Sequence, residues 1–224
     1  MSFNELKRIS TFFKHYEFDV IKISGGEPTL HSQFAEICDN LKELFPAHFY
    51  KLATNGCLLE KYIENVLIFD QIDLSNYPGQ NDAVYRRIVN LNIPNIYTFK
   101  KEDYIQMVDI YQKKNLTKTN IFNSCSNKKV KKIVQSRIYP CCNIFGQSFQ
   151  QGISQNKISG LVDENWKENL ERINIEPYCK RCWTNVVTDE HNPSIRKICR
   201  NIRLNFSERK SLYQKKKSFQ KRLV

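Results

Sequence analysis

Two groups of residues in this 224-residue chain could do chemistry. The first is the loop Ser24-Gly25-Gly26-Glu27-Pro28, which ends the apolar run Val20-Ile21-Lys22-Ile23. Adjacent glycines let a ligand approach the backbone closely and permit positive φ without steric cost. Pro28 fixes the exit from the loop, and Glu27 offers a carboxylate that could hold an ammonium group through charge-assisted hydrogen bonds. A tight turn with a solvated Glu27 is the alternative. Neither phosphate-cradling glycine spacing is present, so no nucleoside triphosphate is expected at this loop. The second group is a set of cysteines, Cys125, Cys141, Cys142, Cys179 and Cys182. Cys179 and Cys182 are spaced so that two thiolates can grip one metal from a tight turn. Cys125 and either Cys141 or Cys142 complete four ligands, enough for tetrahedral zinc or for a 4Fe-4S cluster. Spacing leaves that choice open. Cys38 on an apolar helix face reads as a core thiol, Cys57 as packing near the loop, and Cys199 has no neighbour in the set.

The elements that must position these residues are legible from periodicity. Residues 3–16 carry Phe3, Leu6, Ile9, Phe12, Phe13 and Tyr16 at helical spacing. Residues 19–24 read as a buried strand ending at Gly25. Phe34, Ile37, Cys38, Leu41 and Leu44 mark a second amphipathic helix that stops before Pro46. Strands then follow at residues 49–56, closing on Asn55-Gly56, at 71–77 and at 92–99, with helical stretches at residues 58–69, 82–91 and 100–115. Strand and helix alternate without hairpin signals, which predicts an α/β fold with a parallel sheet, either open or a barrel. In both architectures ligands bind at the carboxyl ends of the strands. The loops carrying Glu27, Asn55 and Ser75 fall at three successive strand ends and should converge on one pocket. After about residue 115 the alternation weakens, and Arg137 to Cys142 and Tyr178 to Trp183 read as turns of a small, loop-rich, metal-dependent module. Trp166 and Trp183 are expected in its core.

The string Ile21-Lys22-Ile23-Ser24-Gly25-Gly26-Glu27-Pro28-Thr29-Leu30-His31, followed by Thr54-Asn55-Gly56-Cys57 and by Asp73-Leu74-Ser75-Asn76-Tyr77-Pro78, resembles the radical S-adenosylmethionine (radical SAM) enzymes in sequence and order. The resemblance covers roughly residues 3–110. It implies a partial parallel (β/α) barrel and assigns Gly25, Gly26, Glu27 and Pro28 to the methionine end of S-adenosylmethionine, with Asn55 and Ser75 lining the pocket by position. His31 belongs to the same string, where a capping or packing role is expected. By the same resemblance the activity is reductive cleavage of S-adenosylmethionine to start radical chemistry on an unidentified small-molecule or peptide substrate. An electron donor such as a flavodoxin or ferredoxin would be its partner. The later cysteines are similar to a SPASM or twitch extension, which holds an auxiliary 4Fe-4S cluster, although Ser136 stands where that pattern has glycine. The family's C-x3-C-x2-C motif, which precedes the glycine loop and carries the catalytic cluster, has no counterpart before Cys38. The expectation is therefore a chain incomplete at its N-terminus and inactive alone, with catalytic residues unknown.

Composition bounds the alternatives. The net charge is +12. The excess lies entirely in residues 113–224, which hold 24 Lys and Arg against 8 Asp and Glu. The tail from residue 191 onward gives an electrostatic footprint for nucleic acid, although a solvated helical tail is favoured. No apolar stretch is long enough to span a bilayer and no signal-peptide pattern opens the chain, so a cytoplasmic protein without membrane contact is expected. The organisation read from these features is residues 1–115 as the radical SAM-like domain, residues 116–190 as the auxiliary-cluster module, and residues 191–224 as the basic tail. Two further readings stand beside the enzyme. One is a catalytically inactive relative that keeps the 4Fe-4S module as a scaffold; the other is a basic zinc protein that binds nucleic acid.

Overall fold

The computed structural model describes residues 1–77, 79–100, 130–141, 144–146, 148 and 152–179. These fall into two compact units, one holding the described residues from 2 to 100 and the other those from 130 to 179.

The first unit is α/β. Its elements are α1 (Phe3–Phe12), β1 (Ile21–Ile23), a 3-10 turn (Pro28–Leu30), α2 (Phe34–Leu44), β2 (Tyr50–Thr54), a 3-10 turn (Leu59–Tyr62) running into α3 (Ile63–Val66), β3 (Gln71–Asn76), α4 (Asp82–Asn90) and β4 (Ile96–Lys100). The four strands form one parallel sheet in the order β1-β2-β3-β4. Each strand pairs with the next in sequence, so among the described residues the sheet has no point where strand order reverses. A doubly wound sheet requires such a reversal; right-handed crossovers in sequential order place every helix on one face.

That face carries the core. Leu52, Ile72 and Leu74 of the central strands are fully buried, as are Phe34 and Leu41 of α2 and Ile88 of α4. Burying each such side chain contributes about 1.5–3 kcal/mol. The alternate positions are Lys22 on β1, Lys51 and Ala53 on β2, and Gln71, Asp73 and Ser75 on β3, polar except for Ala53. Lys22 pairs in register with Lys51, and Lys51 with Gln71. On this face Asp73 receives Lys51 Nζ at 2.9 Å, Lys22 Nζ at 3.7 Å and the Gln71 amide at 2.6 Å. One side of the sheet is therefore sealed by apolar packing and the other is a charged floor with more lysine than aspartate.

Helix α1 ends at Phe12, short of the stretch to Tyr16 that periodicity predicts. Phe13 is 2% exposed and sits edge-on to Phe18 at 5.6 Å and tilted against Phe45 at 6.4 Å. The backbone leaves the helix where this aromatic cluster captures the ring. The predicted helical stretch beyond Lys100 lies outside the described residues.

The second unit contains a three-stranded antiparallel sheet, β5 (Lys132–Val134), β6 (Arg137–Tyr139) and β7 (Gly160–Leu161), with α5 (Trp166–Glu171) and α6 (Glu176–Cys179). Two of its segments depart from the turns that sequence predicts. Arg137–Tyr139 is a strand, because Val134 pairs with Arg137 across a two-residue hairpin. Tyr178 and Cys179 close a short helix that Pro177 can enter in its first turn. Gln135 and Ser136 form the hairpin turn with φ of 48° and 59°, the conformation that favours Asn-Gly and explains why a glycine would suit the Ser136 position. Gly160 must stay glycine, since a Cβ there would lie 2.7 Å from Asn169 Cβ. Trp166, expected in the core, is only half-buried; Tyr139, Ile144, Ile158 and Ile175 form the core instead. Trp183 lies outside the described residues.

Candidate functional site

The carboxyl ends of β1, β2 and β3 are tied together by side-chain hydrogen bonds, and Glu27 is the first knot. Its Oε1 accepts from the Thr29 amide at 3.0 Å, the Thr29 hydroxyl at 2.7 Å and the Thr54 hydroxyl at 2.6 Å. Its Oε2 accepts from the Asn55 amide at 2.6 Å. The carboxylate thus caps the 3-10 turn that follows its own loop and clamps the end of β1 to the end of β2. The reading of Glu27 as a solvated turn residue does not hold. Oε1 is saturated, and Oε2 keeps capacity for one further donor.

Gly25 and Gly26 do not adopt positive φ, contrary to one reason for expecting glycine there. A Cβ on either would meet nothing within 4 Å among the described residues. The space beside this backbone is open, so the feature that survives is close approach by a ligand. Pro28 begins the 3-10 turn. His31 is a local cap, its Nδ1 accepting from the Gln33 amide at 3.1 Å. Leu30, next to it, is 65% exposed.

The Asn55-Gly56 turn at the end of β2 is shaped by two constraints. Asn55 Oδ1 accepts from the Cys57 amide at 2.9 Å, which leaves the Asn55 side-chain amide nitrogen without a partner among the described residues. Gly56 has φ of +84°, and a Cβ there would lie 2.8 Å from Leu74 Cδ1. Cys57 Sγ lies 3.7 Å from the Thr29 hydroxyl, so it is beside the loop as well as in the packing. Cys38 is buried on α2, and burial, reinforced by Asp39, pushes its thiol up to about 12. It is an inert core group.

Ser75 is 9% exposed at the end of β3, and its hydroxyl makes no hydrogen bond among the described residues. Asn76 beside it is 7% exposed, and its side-chain carbonyl is a buried acceptor that no donor among the described residues meets. Groups of that kind are normally matched by a water or a ligand. The loop after β3 is held by Asn81, which donates to the Asn55 carbonyl at 3.0 Å and the Ser75 carbonyl at 2.9 Å. The sequence reading identified Asn55 and Ser75 but not Asn81 or Asn76. Only the polarity of Asn76 at the end of a buried strand could have flagged it.

Gly25, Gly26, Glu27, Pro28, Asn55 and Ser75 are thus assembled at one end of one sheet. The available chemistry is two-sided. Glu27 Oε2 is an acceptor for an ammonium group, while the Asn55 side-chain nitrogen and the Ser75 hydroxyl are donors for a carboxylate or hydroxyl. That donor and acceptor set, beside an open glycine backbone, fits an aminoacyl group.

Of the five proposed metal ligands, Cys141 and Cys179 are described, and Cys125, Cys142 and Cys182 lie outside the described residues. Cys141 and Cys179 pack against the same small core of Tyr139, Ile144, Ile158 and Ile175. Two residues 38 positions apart in sequence are therefore brought to one cluster. Lys131 is next to this group. Burial lowers its ammonium below the ordinary lysine value, the neighbouring Cys141 works in the opposite direction, and its Nζ donates to the Pro140 carbonyl at 3.1 Å. Among the described residues no three potential ligands form a metal cluster.

No protein-family profile matches the chain. It is 29% identical over 173 residues to GTP 3',8-cyclase of Staphylococcus epidermidis, a match covering 76% of this chain and 42% of that protein. It is 38% identical over 97 residues to a probable GTP 3',8-cyclase of Methanococcus aeolicus, covering 42% of this chain and 32% of the relative. A third match, to GTP 3',8-cyclase of Haemophilus ducreyi, is 37% identical over 59 residues, 26% of this chain and 17% of the other. The chain spans less than half the length of these curated relatives. Among the described residues no helix is long and apolar enough to cross a membrane.

Proposed function

We propose that this chain is a radical SAM-type protein whose Gly25-Gly26-Glu27-Pro28 loop receives the aminoacyl end of S-adenosylmethionine. The observation that carries the proposal is the open backbone at Gly25 and Gly26, flanked by an acceptor on Glu27 and donors on Asn55 and Ser75. Similarity to GTP 3',8-cyclases supports a radical SAM-type protein, as does a parallel sheet in sequential strand order. The fold in this reading is part of a (β/α) barrel.

S-adenosylmethionine bound with a reduced 4Fe-4S cluster supplies a carbon radical that can abstract hydrogen from a substrate. This chain's residues bind and orient. The Glu27 carboxylate would accept from the cofactor's ammonium group, the Asn55 side-chain nitrogen and the Ser75 hydroxyl would donate to its carboxylate, and the glycines would admit both to the backbone. The later module holds an auxiliary 4Fe-4S cluster of SPASM or twitch type through Cys125, Cys141 or Cys142, Cys179 and Cys182. Zinc at the same thiolates is the alternative. GTP, the compound that names the cyclases this chain resembles, is the first substrate to test, and the lysine-rich floor formed by Lys22 and Lys51 suits an anion. The electron donor would be a small redox protein of flavodoxin or ferredoxin type.

The deciding experiment is anaerobic reconstitution with iron and sulfide, followed by metal analysis and equilibrium dialysis against labelled S-adenosylmethionine. Saturable binding that weakens in Asn55→Ala and Ser75→Ala, together with about four iron and four sulfide per chain, is the expected result. Zinc without iron would overturn the auxiliary cluster, and absence of saturable S-adenosylmethionine binding would overturn the assignment of the loop.

A further inference from the structure

Asn81 occupies the N-cap position of α4, where an asparagine ordinarily accepts a hydrogen bond from the N–H of the second or third helical residue. Its side chain makes no such bond. Instead Oδ1 accepts from the Tyr77 amide at 2.7 Å, while Nδ2 donates to the carbonyls of Asn55 at 3.0 Å and Ser75 at 2.9 Å. Its three side-chain hydrogen bonds run to the ends of β2 and β3 and the residues just after them, and none runs to the helix it begins. Helix α4 starts without its side-chain cap so that these two loops can be held together.

We infer that Asn81 is the positioning residue of the S-adenosylmethionine pocket, a role that rests on the reading of the loop given above. By engaging both carbonyls with one nitrogen it fixes the spacing of the Asn55 and Ser75 peptides, and so the aim of the two donors left for the ligand. The chain of restraint runs from Glu27 to the Asn55 amide, through the Asn55 peptide to its carbonyl, and through Asn81 to Ser75. Three successive strand ends are thus set by two side chains, one acidic and one amide. The recognition is specific to an amide. A carboxylate of the same shape would turn an oxygen on two carbonyl oxygens, and the loops would part.

Asn81→Asp supplies that isosteric change, and Asp82→Ala serves as a neighbour control. Asp82 Oδ2 accepts from the Gly79 amide at 2.8 Å in the same turn but touches neither the Asn55 nor the Ser75 carbonyl. Labelled S-adenosylmethionine binding and thermal unfolding are measured for the reconstituted full chain and both variants, with binding repeated from pH 7 to pH 5. The expected result is at least a tenfold loss of affinity in Asn81→Asp and less than a twofold change in Asp82→Ala. The ratio of variant to parent affinity should recover at low pH, where protonation of the introduced carboxyl restores one donor. A general loss of stability would not produce that recovery. Affinity within twofold in Asn81→Asp, or a parallel loss in both variants without recovery at low pH, would overturn the inference while leaving the pocket assignment standing. Failure of the parent chain to bind at all would remove the assignment and the inference with it.

Discussion

Replacing Glu27 by glutamine separates what this carboxylate does for the fold from anything it does for a ligand. In the most favourable placement the glutamine carbonyl takes the Oε1 position and keeps the Thr29 amide and the Thr29 and Thr54 hydroxyls. The new NH2 then sits where Oε2 accepts the Asn55 amide at 2.6 Å, so donor faces donor. The loss is one charge-assisted bond, worth about 1.5–3 kcal/mol, and the remaining three bonds weaken because the acceptor is neutral. The opposite placement breaks the Thr29 amide bond and forces two hydroxyls to reverse, so it offers no escape. We expect Glu27→Gln to lose about 2–4 kcal/mol of unfolding free energy in the absence of any ligand. Urea denaturation followed by circular dichroism would read this as a lower midpoint at unchanged slope. A loss below about 0.5 kcal/mol would refute the reasoning, since it would mean that the four hydrogen bonds add nothing to the apo fold.

Three further outcomes follow from single sites. Gly56→Ala places a Cβ at 2.8 Å from Leu74 Cδ1 and keeps φ at +84°; overpacking and the left-handed backbone together should cost about 2–4 kcal/mol, read by thermal or urea unfolding. Gln135→Asn puts the preferred residue into a left-handed turn position, now at φ of 48°, and should stabilise the second unit by about 0.5–1 kcal/mol. Cys38, with its thiol raised to about 12 from an ordinary 9.0, favours the protonated native state. Its contribution is complete below pH 9 and is lost progressively as pH rises toward 12, because the unfolded chain ionises first. Cys38→Val should flatten that alkaline decline, and mass spectrometry after timed alkylation should find Cys38 modified far more slowly than Cys57.

The parts of this protein legible in sequence are those governed by one residue's own chemistry or by a short period. Apolar periodicity marked α1 and α2, and the halt of the apolar run at Gly25 marked the end of β1. Asn-Gly at residues 55 and 56 announced a turn because positive φ leaves few choices there. The convergence of Glu27, Asn55 and Ser75 followed from parallel topology alone. What escaped was partnership across strands. Nothing in the neighbourhood of Glu27 indicates that its carboxylate will also take the Thr54 hydroxyl and the Asn55 amide, because those two contacts depend on β1–β2 register; the Thr29 bonds are local to the turn that Glu27 caps. Asn81 is concealed for the same reason: locally it looks like an ordinary helix cap, and only the approach of the two loops diverts it. The hairpin at Gln135 and Ser136 was hidden by residues that do not favour its conformation, so the strand after it read as a turn.

The sequential strand order has a kinetic side. Register partners are separated by 29 residues from Ile21 to Tyr50, by 20 from Lys51 to Gln71 and by 24 from Ile72 to Ile96. Each new strand therefore needs only the strand just made, and no pairing waits for a distant segment. Loop closure over such lengths is inexpensive relative to a reversed order. A chain leaving the ribosome can add one strand and one helix at a time to a growing edge, and the clamp between Glu27 and Thr54 can close before β3 has emerged.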